Sequence, residues 1–181
     1  MDLVSVPRYY WWLAMAKQPY ERRRKIYLDP GELLPVLDEV RKQGGKVVSA
    51  GGCFELLHVG HVRYLQAARE LGEVLVVMVN TDESMRKIKP DRKPVNPDQE
   101  RFEIVAAIEA VTYVIPLPDL TPERLLRILR PDIHTKGTDY TLEMIPERKV
   151  VAEYGGRVAI VGDPKEHSTT RMLREIKGPG S

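Results

Sequence analysis

Residues 52–61 read Gly-Cys-Phe-Glu-Leu-Leu-His-Val-Gly-His. Two imidazoles three residues apart, separated only by Val59 and Gly60, are the densest concentration of chemistry in the chain. The apolar, β-prone pair Val47 and Val48 precedes this segment, and a helical pattern of Val62, Leu65, Ala68 and Leu71 follows it. His58 and His61 therefore fall on the first turn of a helix at the carboxyl end of a strand. That end of an open parallel sheet is where ligands bind, and a helix N-terminus presents free N–H groups and positive partial charge to an anion. Their spacing puts both rings on one face of the turn, where they can address the same phosphate. Gly60 carries no side chain and lets a ligand approach the backbone. The set suits polyphosphate.

Elements that would hold these residues follow from the alternation of patterns along the chain. Val74 to Asn80 is a nearly continuous apolar run, as in a strand buried on both faces. A polar loop follows, and then a helix opening at Pro97, with Asn96 as cap and Phe102, Val105, Ala106, Ile108 and Ala110 on its inner side. Tyr113 to Ile115 reads as a strand, and Thr121-Pro122-Glu123 starts a helix that stops before Pro131. Ile133 to Thr135 is a further strand, Glu147 to Tyr154 a helix ended by Gly155-Gly156, and Val158 to Val161 the last strand. Ser168 caps a final helix to about Ile176. The expected fold is α/β: a single Rossmann-like, doubly wound domain with a five-stranded parallel sheet, spanning residues 25–177.

Further clusters fall in the loops after these strands. Asn80-Thr81-Asp82 ends the second, with Asp82 read as a helix cap. Lys87, Lys89, Arg92 and Lys93 form a basic loop able to close over a triphosphate. Arg101 reads either as an exposed ion-pair partner or as a group facing the ligand. Lys136 can reach the central crevice, Gly137 lets the backbone turn toward a ligand, and Asp139 follows. Ser168, Thr169 and Thr170 open a helix and would form a second anion site across the crevice.

Composition narrows the class. At 181 residues, with 43% hydrophobic and 30% charged residues, the chain suits one folded domain with a full core. A net charge of +2 fits small anionic ligands and argues against nucleic acid as a partner. Cys53, the single cysteine, excludes an intramolecular disulfide and reads as a small buried packing residue. No run reaches the length of a membrane span, and no signal-peptide core is visible, so a cytoplasmic location is expected. Residues 1–24 form an aromatic and basic extension with Tyr9, Tyr10, Trp11, Trp12 and Tyr20. Arg22 to Lys25 is expected at a subunit rim or near a phosphate site, and 178–181 is expected as a flexible tail.

The Gly52–His61 segment, directly after a strand, resembles the H-x-G-H nucleotidyltransferase superfamily, which joins a nucleoside monophosphate to a phosphorylated acceptor. Within it, the chain is most similar to the D-glycero-D-manno-heptose 1-phosphate adenylyltransferase domain of ADP-heptose synthesis. The likeness covers about residues 25–176. It is carried by 52–61 with Arg63-Tyr64-Leu65, by Val79-Asn80-Thr81-Asp82, and by Arg92-Lys93-Pro94-Val95-Asn96-Pro97. Lys136-Gly137-Thr138-Asp139-Tyr140, Ser168-Thr169-Thr170 and the lead-in Gly31-Glu32-Leu33-Leu34 complete it.

The resemblance implies ATP and a sugar phosphate as substrates, pyrophosphate as product, and Mg²⁺ entering with the nucleotide. It implies His58, His61, Lys93 and Lys136 as catalytic. It also implies Gly52, Cys53, Phe54, Gly60, Asn80, Arg101, Gly137, Asp139, Ser168, Thr169 and Thr170 around the nucleotide. A cytidylyltransferase using CTP and glycerol 3-phosphate shares the first and last motifs and is the alternative. The chain departs from the family pattern at Gly51 for Asn, Glu55 for Asp, Thr138 for Gly, and Lys165-Glu166-His167 for Gly-Arg. The departures at Gly51, Glu55 and 165–167 are what a non-catalytic nucleotide-binding module would show, whereas the retained histidines, lysines and hydroxyls argue for an enzyme. That domain is often fused to a sugar kinase, and this chain is expected as the stand-alone version.

Five aromatics in a short extension would make a poorly soluble patch if exposed, so a homodimer interface is expected there. Deleting residues 1–22 should shift the protein toward monomer in light scattering while far-UV circular dichroism stays unchanged. An unaltered mass would assign the extension to its own domain instead.

Overall fold

The computed structural model describes residues 25–90, 93–164 and Met172. In chain order the elements are α1 (Pro30–Lys42), β1 (Val47–Gly52), α2 (Val59–Arg69), β2 (Val74–Asn80), α3 (Asp82–Ile88) and α4 (Asp98–Ala106). They continue with β3 (Tyr113–Leu117), α5 (Glu123–Leu129), β4 (Ile133–Lys136), a 3₁₀ turn (Leu142–Met144), α6 (Glu147–Glu153) and β5 (Arg157–Ile160). All four strand pairings are parallel, in the order β3-β2-β1-β4-β5. The expected five-stranded parallel α/β sheet is therefore present. Its order reverses at β1, which opens a crevice between the carboxyl ends of β1 and β4.

Every residue of β2 is buried, because successive side chains enter opposite layers. Val76 and Met78 pack with Val47, Leu33, Leu37 and Leu126 on one face. Leu75, Val77 and Val79 pack with Val48, Leu65, Phe102 and Val105 on the other. Among the described residues, no helix is long and apolar enough to cross a membrane.

Local differences from the sequence reading have identifiable causes. Residues 82–88, read as loop, form α3, whose seven residues are too few to show a periodic apolar face. Its cap is Thr81, which accepts from Ser84 N–H, and not Asp82, whose carboxylate is engaged elsewhere. The N-cap of α4 is Pro97; Asn96, one residue earlier, instead offers its carbonyl to Arg101. This helix ends at Ala106, which leaves Ile108 and Ala110 beyond it. β3 extends to Leu117, while β5 begins at Arg157 and stops one residue short of Val161.

Lys25 is not at a phosphate site. Its ammonium donates to the carbonyls of Ala106 and Val111, and Ile26 bridges to Val114, so it anchors the chain at the amino end of β3. The remainder of the 1–24 extension, Arg92, Ser168, Thr169, Thr170, the helix expected after Ser168, and the 178–181 tail lie outside the described residues.

One buried titratable group lies in the sheet itself. His134 on β4 sits opposite Ser49 of β1, its Nδ1 2.8 Å from the Ser49 hydroxyl. Its Nε2 has no hydrogen-bond partner among the described residues. Burial, reinforced by the charge of Lys136, pushes its pKa down from 6.5 to about 3. The unfolded chain therefore takes up a proton that the folded state refuses. This contribution to stability is complete above pH 6.5 and is lost as pH falls toward 3, by up to about 1.4 kcal/mol per pH unit. His134→Gln should flatten the fall of thermal midpoint between pH 6.5 and 4, and an unchanged slope would show that another group carries it.

Candidate active site

β1 ends in Gly51 and Gly52, and the chain then turns through Cys53 and Phe54 into α2. Phe54 adopts a left-handed φ of 45° and is buried. A Cβ at Gly52 would lie 3.2 Å from the Phe54 ring, so glycine there is what lets the ring fold back. That ring supports His61, at 5.2 Å between centroids. His58 is the N-cap residue of α2 in extended conformation, and its side chain makes no capping bond. Instead it stacks on His61 with centroids 3.8 Å apart and planes 18° from parallel. The two imidazoles thus share one face. Burial foremost, then the charges of His58 and Lys89, push the pKa of His61 from 6.5 down to about 4. At neutral pH its ring is uncharged, with one N–H to give to a ligand.

His61 opens onto a cavity of about 530 Å³ that spans the crevice. One wall is the end of β1, from Gly51 to Glu55, with Asn80 from β2 and Lys89 after α3. Lys136 at the end of β4, Tyr140, Pro146 and Glu147 form the facing wall. Leu117, Leu120, Thr121 and Pro122 add an apolar border, a mixture suited to a ligand with both charged and flat apolar parts. Each of these lysines meets a buried carboxylate. Lys136 Nζ lies 2.7 Å from Glu147 Oε1, and Lys89 Nζ lies 3.5 Å from Glu55 Oε2.

Gly52, Cys53, Phe54, His61, Asn80 and Lys136 line this cavity together, whereas His58 stands behind His61. Cys53 is half-buried at the wall, its Sγ 3.7 Å from Asn80 Oδ1, and is not the core packing residue expected. Gly60, Gly137 and Asp139 are outside the lining. A Cβ at Gly137 would sit 2.9 Å from Asp139 Oδ1, so glycine permits that loop to fold on itself. Of the basic loop, Lys89 reaches the cavity, Lys87 pairs with Glu83 on the surface, and Lys93 is exposed and not part of the lining.

Arg101 is neither exposed nor facing the cavity. It is 1% exposed and donates to the carbonyls of Cys53, Asn80 and Asn96 and to the Asp82 carboxylate. Glu147 was missed by the sequence reading. Its only sequence signal is that Pro146-Glu147 opens a helix shortly after the Lys136-Gly137 loop.

A parallel sheet of order 3-2-1-4-5 with an H-x-G-H turn at the carboxyl end of its first strand defines the H-x-G-H class of nucleotidyltransferase folds. Residues 49–175 match the cytidylyltransferase-like family, and the chain belongs to that family. It is 44% identical over 163 residues to the bifunctional protein HldE of Syntrophotalea carbinolica, an alignment covering 90% of this chain and 33% of that protein. It is 42% identical over 144 residues to the bifunctional protein HldE of Geobacter sulfurreducens, covering 80% of this chain and 29% of the relative. The chain thus spans about a third of the length of these curated relatives. Among solved structures, the lipopolysaccharide core biosynthesis protein of Thermoplasma volcanium superimposes with a TM-score of 0.56 at 27% identity. That match covers 65% of this chain and 94% of the other.

Removing the Arg101 guanidinium strands three carbonyls and the Asp82 carboxylate. The stranded Asp82 carboxylate is 24% exposed and can hydrate, so the loss is about 1–3 kcal/mol, the scale of leaving buried acceptors unsatisfied. Arg101→Leu should lower the urea midpoint by a corresponding amount without changing the slope of the transition. A wild-type midpoint would show that these loops are held by other contacts.

Proposed function

We propose that the chain transfers AMP from ATP to a sugar phosphate, D-glycero-D-manno-heptose 1-phosphate, releasing pyrophosphate and forming an ADP-sugar. The observation that carries this reading is the stacked pair His58–His61 beside a cavity whose far wall presents Lys136. Support for the acceptor comes from the motifs at 92–97 and 136–140 and from the similarity to proteins named HldE.

The acceptor phosphate is ionised at neutral pH and needs no general base. One of its oxygens attacks the α-phosphorus in line. The new P–O bond forms as the bond between the α-phosphorus and its bridging oxygen breaks, and the electron pair leaves on pyrophosphate. Catalysis is then a matter of positioning and charge stabilisation. Neutral His61, braced by His58, donates to oxygens around the reacting phosphorus, and Lys136 offsets charge from the opposite wall. Lys93 approaches with the basic loop, and Ser168, Thr169 and Thr170 hold the β- and γ-phosphates. Gly52, Phe54 and Asn80 shape the floor, while Arg101 holds that floor in place.

No group of three or more His, Cys, Asp or Glu side chains among the described residues is arranged to hold a metal. Mg²⁺ entering with the nucleotide would be held mainly by phosphate oxygens and water and would supply charge neutralisation on the leaving group. The same reading takes the protein as a homodimer, on the aromatic content of residues 1–24, and places it in the cytoplasm with its nucleotide substrate.

A pyrophosphate-release assay crossing four nucleoside triphosphates with a panel of phosphorylated sugars and polyols tests the assignment. ATP with heptose 1-phosphate should give the highest kcat/KM, and activity confined to CTP with glycerol 3-phosphate would replace it. His61→Ala should lose about 10²–10³-fold in kcat, the scale of removing one donor to the transition state. Near-wild-type turnover in a folded His61→Ala protein would refute the role.

A further inference from the structure

A carboxylate in the wall of an anion-binding cavity is an electrostatic contradiction, and Glu147 is one. It is 4% exposed, lines the cavity, and its Oε1 accepts from Lys136 Nζ at 2.7 Å. Its Oε2 is buried without a hydrogen-bond partner among the described residues. Burying a carboxylate with one oxygen unsatisfied costs stability. What the carboxylate provides in return is visible on Lys136. That lysine sits on the last residue of β4 and is mostly buried, with its ammonium 5.5 Å from the centroid of the Tyr140 ring.

Resting on the adenylyltransfer reading above, we infer that Glu147 is the positioning residue for Lys136. It takes one of the three ammonium donors, fixes the flexible four-carbon stem against Tyr140, and leaves the other donors for a phosphate oxygen in the cavity. Without it the ammonium is free to swing along the wall, and small misplacements of a charge-stabilising group are expensive in rate. A purely structural ion pair would contribute to stability but not to the geometry of the reacting phosphates.

Two measurements on the full chain test this: labelling reports whether the carboxylate holds the ammonium, and the kinetics separate positioning from a purely structural pair. In competitive labelling with acetic anhydride followed by peptide mass spectrometry, Lys136 should react severalfold faster in Glu147→Gln than in wild type. An amine deprived of its counter-ion gives up its proton and moves more readily. Exposed Lys42 serves as the internal standard, and this readout holds whether or not the proposed substrates are correct. In the pyrophosphate assay, Glu147→Gln should lower kcat by on the order of 10²-fold with KM for ATP changed much less. Glu147→Asp, which keeps the charge, should recover part of that loss and, if the Gln variant does not fold, carries the test alone through its own lowered kcat. Labelling of Lys136 at the wild-type rate, or an unchanged kcat in a variant with a lowered melting midpoint, would overturn the inference. If wild type makes no pyrophosphate from any pair while Lys136 labelling still responds to Glu147→Gln, the positioning stands and the adenylyltransfer reading falls.

Discussion

The site depends on one guanidinium. Arg101 reaches from the first turns of α4 to the carbonyls that close β1 and β2, to the loop before its own helix, and to Asp82 at the start of α3. Arginine suits this position because its donors point in fixed directions from a rigid plane, so satisfying them fixes the relative placement of every acceptor. Cys53 and Asn80, whose carbonyls it holds, are cavity-lining residues. The turn that carries Phe54, and through it the seat of His61, starts from one of those anchored carbonyls. A buried charge is costly to assemble, yet this one ties the end of β2 and the start of α3 to the turns that follow β1 and precede α4.

Charge around the cavity is arranged to be balanced before any ligand arrives. The imidazole of His61 is neutral, and two cationic rings at stacking distance would repel each other. Lys89 and Lys136 each face a buried carboxylate. Unpaired ammonium groups in such a pocket would carry a desolvation penalty, and Glu55 and Glu147 supply the compensation internally. Glu55, itself buried, reaches Lys89 Nζ at 3.5 Å.

Legibility in the sequence follows the range of the determining contacts. The imidazole pair was readable because three-residue spacing on a helix is local geometry. β2 was readable because burial on both faces writes itself as an unbroken apolar run. α3 was invisible, since seven residues with two apolar positions show no period and its cap lies within a polar stretch. Arg101 was misread because arginine in a first turn is ordinarily solvent-facing, and only partners at Cys53 and Asn80, distant in sequence, reveal its burial. Glu147 escaped for a related reason: a buried carboxylate on a helix is defined by the cation it meets, here supplied by the end of β4.

The strand order also sets a sequence of events. Cys53 and Asn80, on the first wall, are 27 residues apart, so β1 and β2 with α2 between them close a short loop. Ser49 and His134, which mark the pairing of β1 with β4, are 85 residues apart. Loop closure over that distance is slower and is repaid only once several long-range contacts form together. The half of the molecule that carries the histidines can therefore organise first, and the half that carries Lys136 docks onto it afterwards. A ligand touching both walls therefore bridges two strands whose pairing closes a loop of 85 residues, and its binding energy adds to that long-range closure.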